Sequence, residues 1–394
     1  MPIPSLPASA LLASKLPDVG VSIFAQMTLL AQETGAINLA QGFPDYDPPQ
    51  ALLEALARHA LTPGHHQYAP MPGLPRLRAA IAAQVARRHA DAPAPDPATE
   101  ITVTAGATEA LYAVLAAVVR PGDEVVVFEP AYDLYGPAIR LQGGVPRYAR
   151  LPAPGFRPDW DAVRRVVGPR TRLVLVNTPH NPSGAIFTAE DWHELARLLD
   201  GTDAFVLSDE VYEHLVFDGA PRRSARQHPA LRERSFVLSS FGKTYHATGW
   251  KVGYCIAPPA LTAEVRRVHQ FLTFAVSTPT QHALADILEN DPADAHAQGL
   301  APFYQAKRDQ FRQLLAGTAW ELLPVPGGYF QLARYAAISP ATDVAFAGYL
   351  AREKGVAVVP VSAFYHDGFD EGLIRFCFAK EGATLEAAAA RLRC

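Results

Sequence analysis

The sequence predicts an α/β protein: a large domain built on a mostly parallel sheet sandwiched by helices, followed by a smaller α+β domain. Three observations predict it. Strand-length apolar runs alternate with helical patterns in βαβα order. Those runs, such as Glu124 to Phe128 and Arg172 to Asn177, are apolar without alternation, as in strands buried on both faces. Near Ser277 the pattern shifts to helices separated by loops. At 394 residues the chain also exceeds what one small core organises. The expected division is 1–45 for an N-terminal arm that joins the small domain, 46–276 for the large domain and 277–394 for the small one.

Composition narrows the function classes. Hydrophobic residues make up 49% and charged residues 19%, an ordinary globule. A net charge of −4 argues against nucleic acid and anionic membrane as partners. Three cysteines without metal-ligand spacing, Cys255, Cys377 and Cys394, read as reduced thiols of a cytoplasmic protein, and no metal site is expected. The start lacks a basic leader with a long apolar core, and no apolar run approaches the roughly 20 residues of a membrane helix.

In chain order, residues 1–19 carry four prolines and read as an extended arm. Ile23, Met27 and Leu30 share one face of a helix over Val21 to Thr34. A short strand at Ile37 ends in a turn at Gly42, which allows close backbone approach of a ligand. Helices are expected over Pro49 to Ala60 and Leu74 to Arg88, then a strand over Ile101 to Thr104. That strand runs into Gly106-Ala107-Thr108 and a helix over Ala107 to Val119. Strand, glycine turn and helix start make an anion site, because free N–H groups and the positive helix end point outward. Tyr132 follows the strand Glu124 to Phe128, as core packing or as an aromatic lid. Strand Pro146 to Arg150 and helix Asp159 to Val167 come next. Strand Arg172 to Asn177 opens into the loop of Asn181. Helix Ala189 to Leu199 and strand Ala204 to Ser208 lead to Asp209-Glu210-Val211-Tyr212.

The next strand, Ser235 to Leu238, ends at Ser240-Phe241-Gly242-Lys243-Thr244. A lysine in a polar loop is by default a solvated surface residue. Its amine can also condense with an aldehyde, and the Ser240 hydroxyl with the Lys251 cation suits a phosphate. Aldehyde and phosphate on one small molecule describe pyridoxal 5'-phosphate, PLP. Gly106, Asn181, Asp209 and Lys243 all lie just past strand ends, where such sheets bind ligands. The default for Asp209 alone is a helix cap. Strand Val252 to Ala257 and helix Pro259 to Phe274 complete the large domain. Beyond it, helices are expected near Leu300–Leu315, Val344–Lys354 and Leu385–Arg393, and strands at Gly328–Ala333, Val356–Val359 and Leu373–Phe378.

With these residues placed, the chain resembles the class I/II aminotransferases of the fold-type I PLP-dependent superfamily, from about Ile23 to Arg393. The motifs that carry the resemblance are Gly-Ala-Thr at 106, Asn-Pro-Ser-Gly at 181, Asp-Glu-Val-Tyr at 209, Ser-Phe-Gly-Lys at 240, Gly-Trp-Lys-Val-Gly at 249 and Ile-Arg-Phe at 374. The stretches Gln67 to Leu77 and Ser240 to Pro258 are most similar to the methionine aminotransferase subgroup, near the kynurenine and glutamine transaminases. The resemblance implies a seven-stranded sheet and assigns roles. Lys243 holds the cofactor aldehyde. Asp209 pairs with the pyridine nitrogen, Tyr212 and Asn181 with the phenolic oxygen, and Tyr132 stacks on the ring. Gly106, Ala107, Thr108, Ser240 and Lys251 hold the phosphate; Lys251 stands where the family usually has Arg, which loses the bidentate fork. Tyr68 reaches the phosphate of the neighbouring subunit, which implies a homodimer. Arg375 clamps the substrate carboxylate near Gly42; its default alternative is an internal ion pair. Glu129-Pro130 and Asn181-Pro182 resemble bonds that are cis in relatives.

The implied activity is ping-pong transfer of an α-amino group from an L-amino acid to a 2-oxo acid, through pyridoxamine phosphate. The segment Phe271 to Tyr304 contains no Arg or Lys, so an acidic side chain would lack a partner there. Phe24, Phe43, Phe274, Tyr329 and Phe364 are candidates to line a pocket for methionine-like or aromatic substrates. Two rival readings share the frame: a carbon–sulfur β-lyase, since fold alone does not set the reaction, and a non-catalytic regulator, against which the lack of an added DNA-binding module and of a basic stripe counts.

Overall fold

The computed structural model describes residues 13–291 and 293–393. Most of the expected proline-rich arm and Cys394 lie outside the described residues. A short first strand, β1 (Ile37–Asn38), precedes the main sheet. That sheet comprises β2 (Ile101–Thr104), β3 (Glu124–Glu129), β4 (Val145–Arg150), β5 (Thr171–Asn177), β6 (Phe205–Asp209), β7 (Ser235–Ser240) and β8 (Gly253–Ile256). Their spatial order is β2-β8-β7-β6-β5-β3-β4, and only β8 runs antiparallel to its neighbours.

The unbroken apolar runs have a simple cause. Side chains alternate across a strand. Val126 and Phe128 of β3, with Val174 and Val176 of β5, enter one hydrophobic cluster. Val125, Val127, Leu173 and Leu175 enter the cluster on the opposite face. Neither face meets water, so the central positions of both strands, Val125 to Phe128 and Leu173 to Val176, are all apolar. Truncating one of these side chains, Leu175→Ala for example, would cost about 2–5 kcal/mol.

The smaller sheet has the order β12-β13-β10-β9, all antiparallel, from β9 (Glu321–Leu322), β10 (Phe330–Arg334), β12 (Val359–Pro360) and β13 (Leu373–Cys377). Strand β11 (Val356–Ala357) pairs in parallel with β1. Leu39 O then accepts from Cys377 N at 2.8 Å, which brings the Gly42 turn beside β13.

Several local expectations need correction. Lys243 lies on a single helical turn, Phe241–Thr244, in place of a loop; Tyr245 N closes it on Phe241 O at 2.8 Å. Helix Tyr135–Leu141 was hidden by Gly136 and Pro137. Helix Thr278–Asn290, directly after the compositional shift, packs on helices Gln50–Ala60 and Pro75–Arg88. Its buried Gln281 accepts from Leu74 N at 2.8 Å. The bonds before Pro130 and Pro182 are cis, as are those before Pro154 and Pro179. Among the described residues no helix is long and apolar enough to cross a membrane.

Candidate functional site

The C-terminal ends of β2, β3, β5, β6 and β7 share one edge of the main sheet, and a cavity of about 630 Å³ opens there. This volume suits one small organic ligand. Because β8 runs the other way, its start lies at the same edge; Gly253 pairs with both Thr104 and Ser240. That brings Lys251 beside Gly106, where an added Cβ would lie 3.4 Å from Lys251 Nζ. Gly106 (φ +78°) opens a 13-residue helix with Ala107 and Thr108 on the cavity wall. Lys251 itself is left-handed at φ 54°. No carboxylate among the described residues pairs with it. An ammonium beside a positive helix end calls for an anion between them.

Asp209 ends β6 and is buried. Tyr135 Oη donates to its Oδ2 at 2.7 Å. Burial pushes the carboxyl above its ordinary range; the Tyr135 bond, Val211 N and Lys243 pull it back. Asn177, in register with Asp209 across the sheet, donates to Asp209 O at 2.9 Å and accepts from Asn181 N at 2.8 Å. That pair sets the loop carrying Asn181. Across the cavity, Lys243 Nζ donates to Gly42 O at 3.1 Å and lies 5.7 Å from the Tyr212 ring centre. Burial depresses its amine to about 8.

Arg375 sits mid-strand on β13, fully buried. Nη1 donates to Asn181 Oδ1 at 2.7 Å and Nη2 to Ala40 O at 2.8 Å, while Nε has no partner. Phe330, Phe24 and Phe364 surround the guanidinium at 4.1, 5.1 and 5.1 Å. No carboxylate forms an ion pair with it among the described residues, so the internal ion pair is absent. Burial lowers it to about 10. A buried guanidinium with one donor left unpaired, walled by aromatic faces, can receive a carboxylate.

The cavity thus brings together Lys243, Asp209, Tyr212, Asn181 and Arg375 with Gly106, Ala107, Thr108, Ser240 and Lys251; Tyr132, Gly42 and Phe24 also line it. Tyr68 is not on its wall. It is 84% exposed and meets Phe274 edge-on at 5.3 Å. Of the five candidate pocket aromatics, Phe24 and Phe43 line the cavity. Phe274 is at the surface, Tyr329 donates to Gly42 O at 2.6 Å, and Phe364 supports Phe24 and Arg375 from behind. Sequence reasoning missed Tyr135, Asn177, Asp133 and Phe330. Asn177 carried a signal, as a polar residue ending an apolar strand.

The residues fit PLP on three counts of this geometry: a primary amine depressed by burial, a buried carboxylate facing it, and an unpaired cation at a helix start for the phosphate. The family model for aminotransferase class I and II matches residues 34–392. Methionine aminotransferase of Escherichia coli K12 is 51% identical over 380 residues, covering 96% of this chain and 97% of that protein. Kynurenine–oxoglutarate transaminase of Dictyostelium discoideum is 32% identical, covering 94% and 93%. A crystal structure of an E. coli protein identified as having a methionine aminotransferase function superposes with a TM-score of 0.94 at 51% identity, covering 97% of this chain and 99% of that one. The N-succinyldiaminopimelate aminotransferase structure from Mycobacterium tuberculosis follows at 0.92 and 37%, covering 97% and 99%. Ordered motifs, sheet topology and this likeness over nearly the whole length converge: the chain belongs to the class I and II aminotransferases.

Proposed function

We propose that the protein uses pyridoxal phosphate to move the α-amino group of an apolar, sulfur-containing or aromatic L-amino acid, methionine-like in the first instance, to a 2-oxo acid. One observation carries the reading: Lys243, Asp209 and Arg375 line a single cavity, and the buried Arg375 guanidinium keeps one donor, Nε, without a partner. Bound PLP supplies the aldehyde that carries the amino group and the ring that accepts electron density. Asp209 would face the ring nitrogen, and the hydrogen bond from Tyr135 favours its charged form against the burial that disfavours it. Arg375 and Asn181 bind the α-carboxylate, which turns the α C–H toward Lys243. Lys243, depressed to about 8, has a neutral fraction near physiological pH and can take and return that proton at Nζ. Lys251 and the helix start hold the phosphate, with Ser240 and Thr108.

Substrate choice follows from what lines the remaining space. Phe24, Phe43, Leu134 and Pro137 are apolar, and Asp133 is acidic. Beyond Lys243, Lys251 and Arg375 no Lys or Arg among the described residues lines the cavity, so a side-chain carboxylate finds no cation there. The exposure of Tyr68 supports its reach to a neighbouring copy, and hence a homodimer. The free, buried Cys255 and Cys377 support a cytoplasmic setting. A half-reaction screen tests the function: each amino acid is mixed with the PLP-loaded protein without acceptor, and conversion to pyridoxamine phosphate is followed by absorbance. Methionine and aromatic amino acids should convert it and aspartate should not. Pyruvate and ammonia from cystathionine without an oxo acid would establish the lyase instead. Conversion by a Lys243→Ala variant at the wild-type rate would refute the lysine's role.

A further inference from the structure

Away from the cavity, three imidazoles meet where helix Thr278–Asn290 packs on helix Gln50–Ala60. His59 lies in the last turn of helix Gln50–Ala60, His65 in the loop that follows, and His282 in the second turn of helix Thr278–Asn290. All three are half-buried, and one ring nitrogen of each falls within 4.8 Å of the others. His59 Nδ1 and His65 Nδ1 are 3.2 Å apart. The rings of His65 and His282 stack, with centres 3.9 Å apart and planes at 9°. On its outer side, His59 Nε2 lies 2.8 Å from Asp286 Oδ2, and Arg76 holds the other oxygen at 2.7 Å.

These contacts decide a tautomer. Asp286 accepts only, so His59 Nε2 is the donor and its neutral ring presents a lone pair at Nδ1. That lone pair points at His65 Nδ1. A proton can bridge the two nitrogens, and so can a metal. Tetrahedral zinc with bonds of 2.0–2.1 Å holds its ligand atoms about 3.3 Å apart, the spacing His59 and His65 already have at 3.2 Å. The ring of His282, stacked on His65, must turn to bring its nitrogen, now within 4.8 Å, to the same point. A carboxylate on the far nitrogen of a ligating histidine sets ring orientation and raises basicity. Imidazole sets select Zn²⁺, Cu²⁺ or Ni²⁺ over the oxygen-seeking Ca²⁺ and Mg²⁺.

We propose that His59, His65 and His282 form a site for a late first-row divalent cation, Zn²⁺ foremost, with Asp286 as the positioning residue behind His59. The three protein ligands leave a fourth position for water. None of them lines the active-site cavity. The cation would instead clip a loop to a helix. His65 stands three residues before Tyr68, and the same loop is anchored by Thr278 Oγ1 donating to Gln67 O at 2.6 Å. The cation therefore stiffens the segment that presents Tyr68.

The test uses tag-free, PLP-saturated protein dialysed against Zn²⁺, with bound metal measured per chain, and a parallel titration with Co²⁺ followed by visible absorption. Wild type should retain one equivalent and give the intense bands of four-coordinate Co²⁺. His65→Ala and His282→Asn should each abolish both signals, and Asp286→Asn should weaken affinity about tenfold. His65 is in a loop, so its replacement leaves the helices intact; unchanged far-ultraviolet dichroism and cofactor absorbance establish that metal loss is not unfolding. Retention unchanged in both histidine variants would overturn the site, as would no retention by wild type. Retention lost only in Lys243→Ala would place the metal on the cofactor and overturn it as well.

Discussion

Tyr135 Oη donates a 2.7 Å hydrogen bond to Oδ2 of Asp209, and both side chains are buried beside the cavity. The bond stabilises the charged carboxylate against the burial that disfavours it. Tyr135→Phe removes it without changing the ring. A hydrogen bond to a charged group is worth about 1.5–3 kcal/mol, so the Asp209 carboxyl should rise further. The acid limb of the kcat/KM profile should move to higher pH, and activity at pH 7 should fall about tenfold or more. An unshifted acid limb would show that Tyr135 only fills space.

Arg375 and Asn181 act as one unit through their 2.7 Å bond. Arg375→Lys loses the planar fork and leaves Asn181 Oδ1 without its donor. Truncating a buried, hydrogen-bonded charge costs about 2–5 kcal/mol, so kcat/KM should drop about a hundredfold or more, mainly through KM. The Arg375→Lys, Asn181→Ala double variant should lose less than the sum of the singles. Additive losses in steady-state kinetics would contradict the coupling.

Lys251 supplies a charge beside Gly106 from a left-handed backbone. Lys251→Gln keeps the length and removes the charge; PLP affinity in equilibrium dialysis should weaken about tenfold, one charge-assisted hydrogen bond's worth. Lys251→Arg should hold PLP at least as tightly as wild type. Equal affinity for all three proteins would remove Lys251 from the phosphate site.

Lys243 should cost the cofactor-free protein stability. Its amine titrates at about 8 when folded against an ordinary 10.5. Between these values the unfolded chain binds the extra proton, so stability rises with pH through that window. Below about 8 the penalty of the buried ammonium is complete. Lys243→Met, stripped of PLP, should therefore melt higher than stripped wild type at pH 7, with the gap closing toward pH 10.5. Thermal unfolding across that range checks both the sign and the window.

Glu210 tests the same logic with the opposite charge. Burial raises its carboxyl from 4.5 to about 7, although Ser208 Oγ donates to it at 2.7 Å. The folded state holds the extra proton between these values, so stability falls as pH rises from 4.5 to about 7 and is level above. Glu210→Gln keeps the acceptor for Ser208 and for Ala225 N. It should be stabilising by on the order of 3 kcal/mol at pH 8 and neutral below pH 4.5. Denaturant midpoints at the two pH values decide it.

The reach of the sequence differs between elements. Strands β3 and β5 were legible because two buried faces demand unbroken apolar residues. Gly106, Asn181, Asp209 and Lys243 were legible because strand C-terminal ends collect at one edge of a parallel sheet. Helix Thr278–Asn290 was not: Ala, Leu and a buried Gln281 read as ordinary until helices Gln50–Ala60 and Pro75–Arg88 supply its other wall. The Tyr135 bond crosses 74 positions of chain, and nothing local to either residue announces it. The imidazole cluster joins His59 and His65 to His282 in the same way.

What the sequence determined by itself is whatever depends on neighbours a few residues away: strand period, helix starts, turn glycines, and the polar residue types parked after each strand. Only the tertiary structure decided which of these groups face one another. Arg375 meets Asn181 because β13 docks against the β1 turn and the loop after β5, and Lys251 meets Gly106 because β8 runs against its neighbours. Such pairings are set by packing between distant segments, whose free energy is spread over many contacts and leaves no periodic mark in the chain.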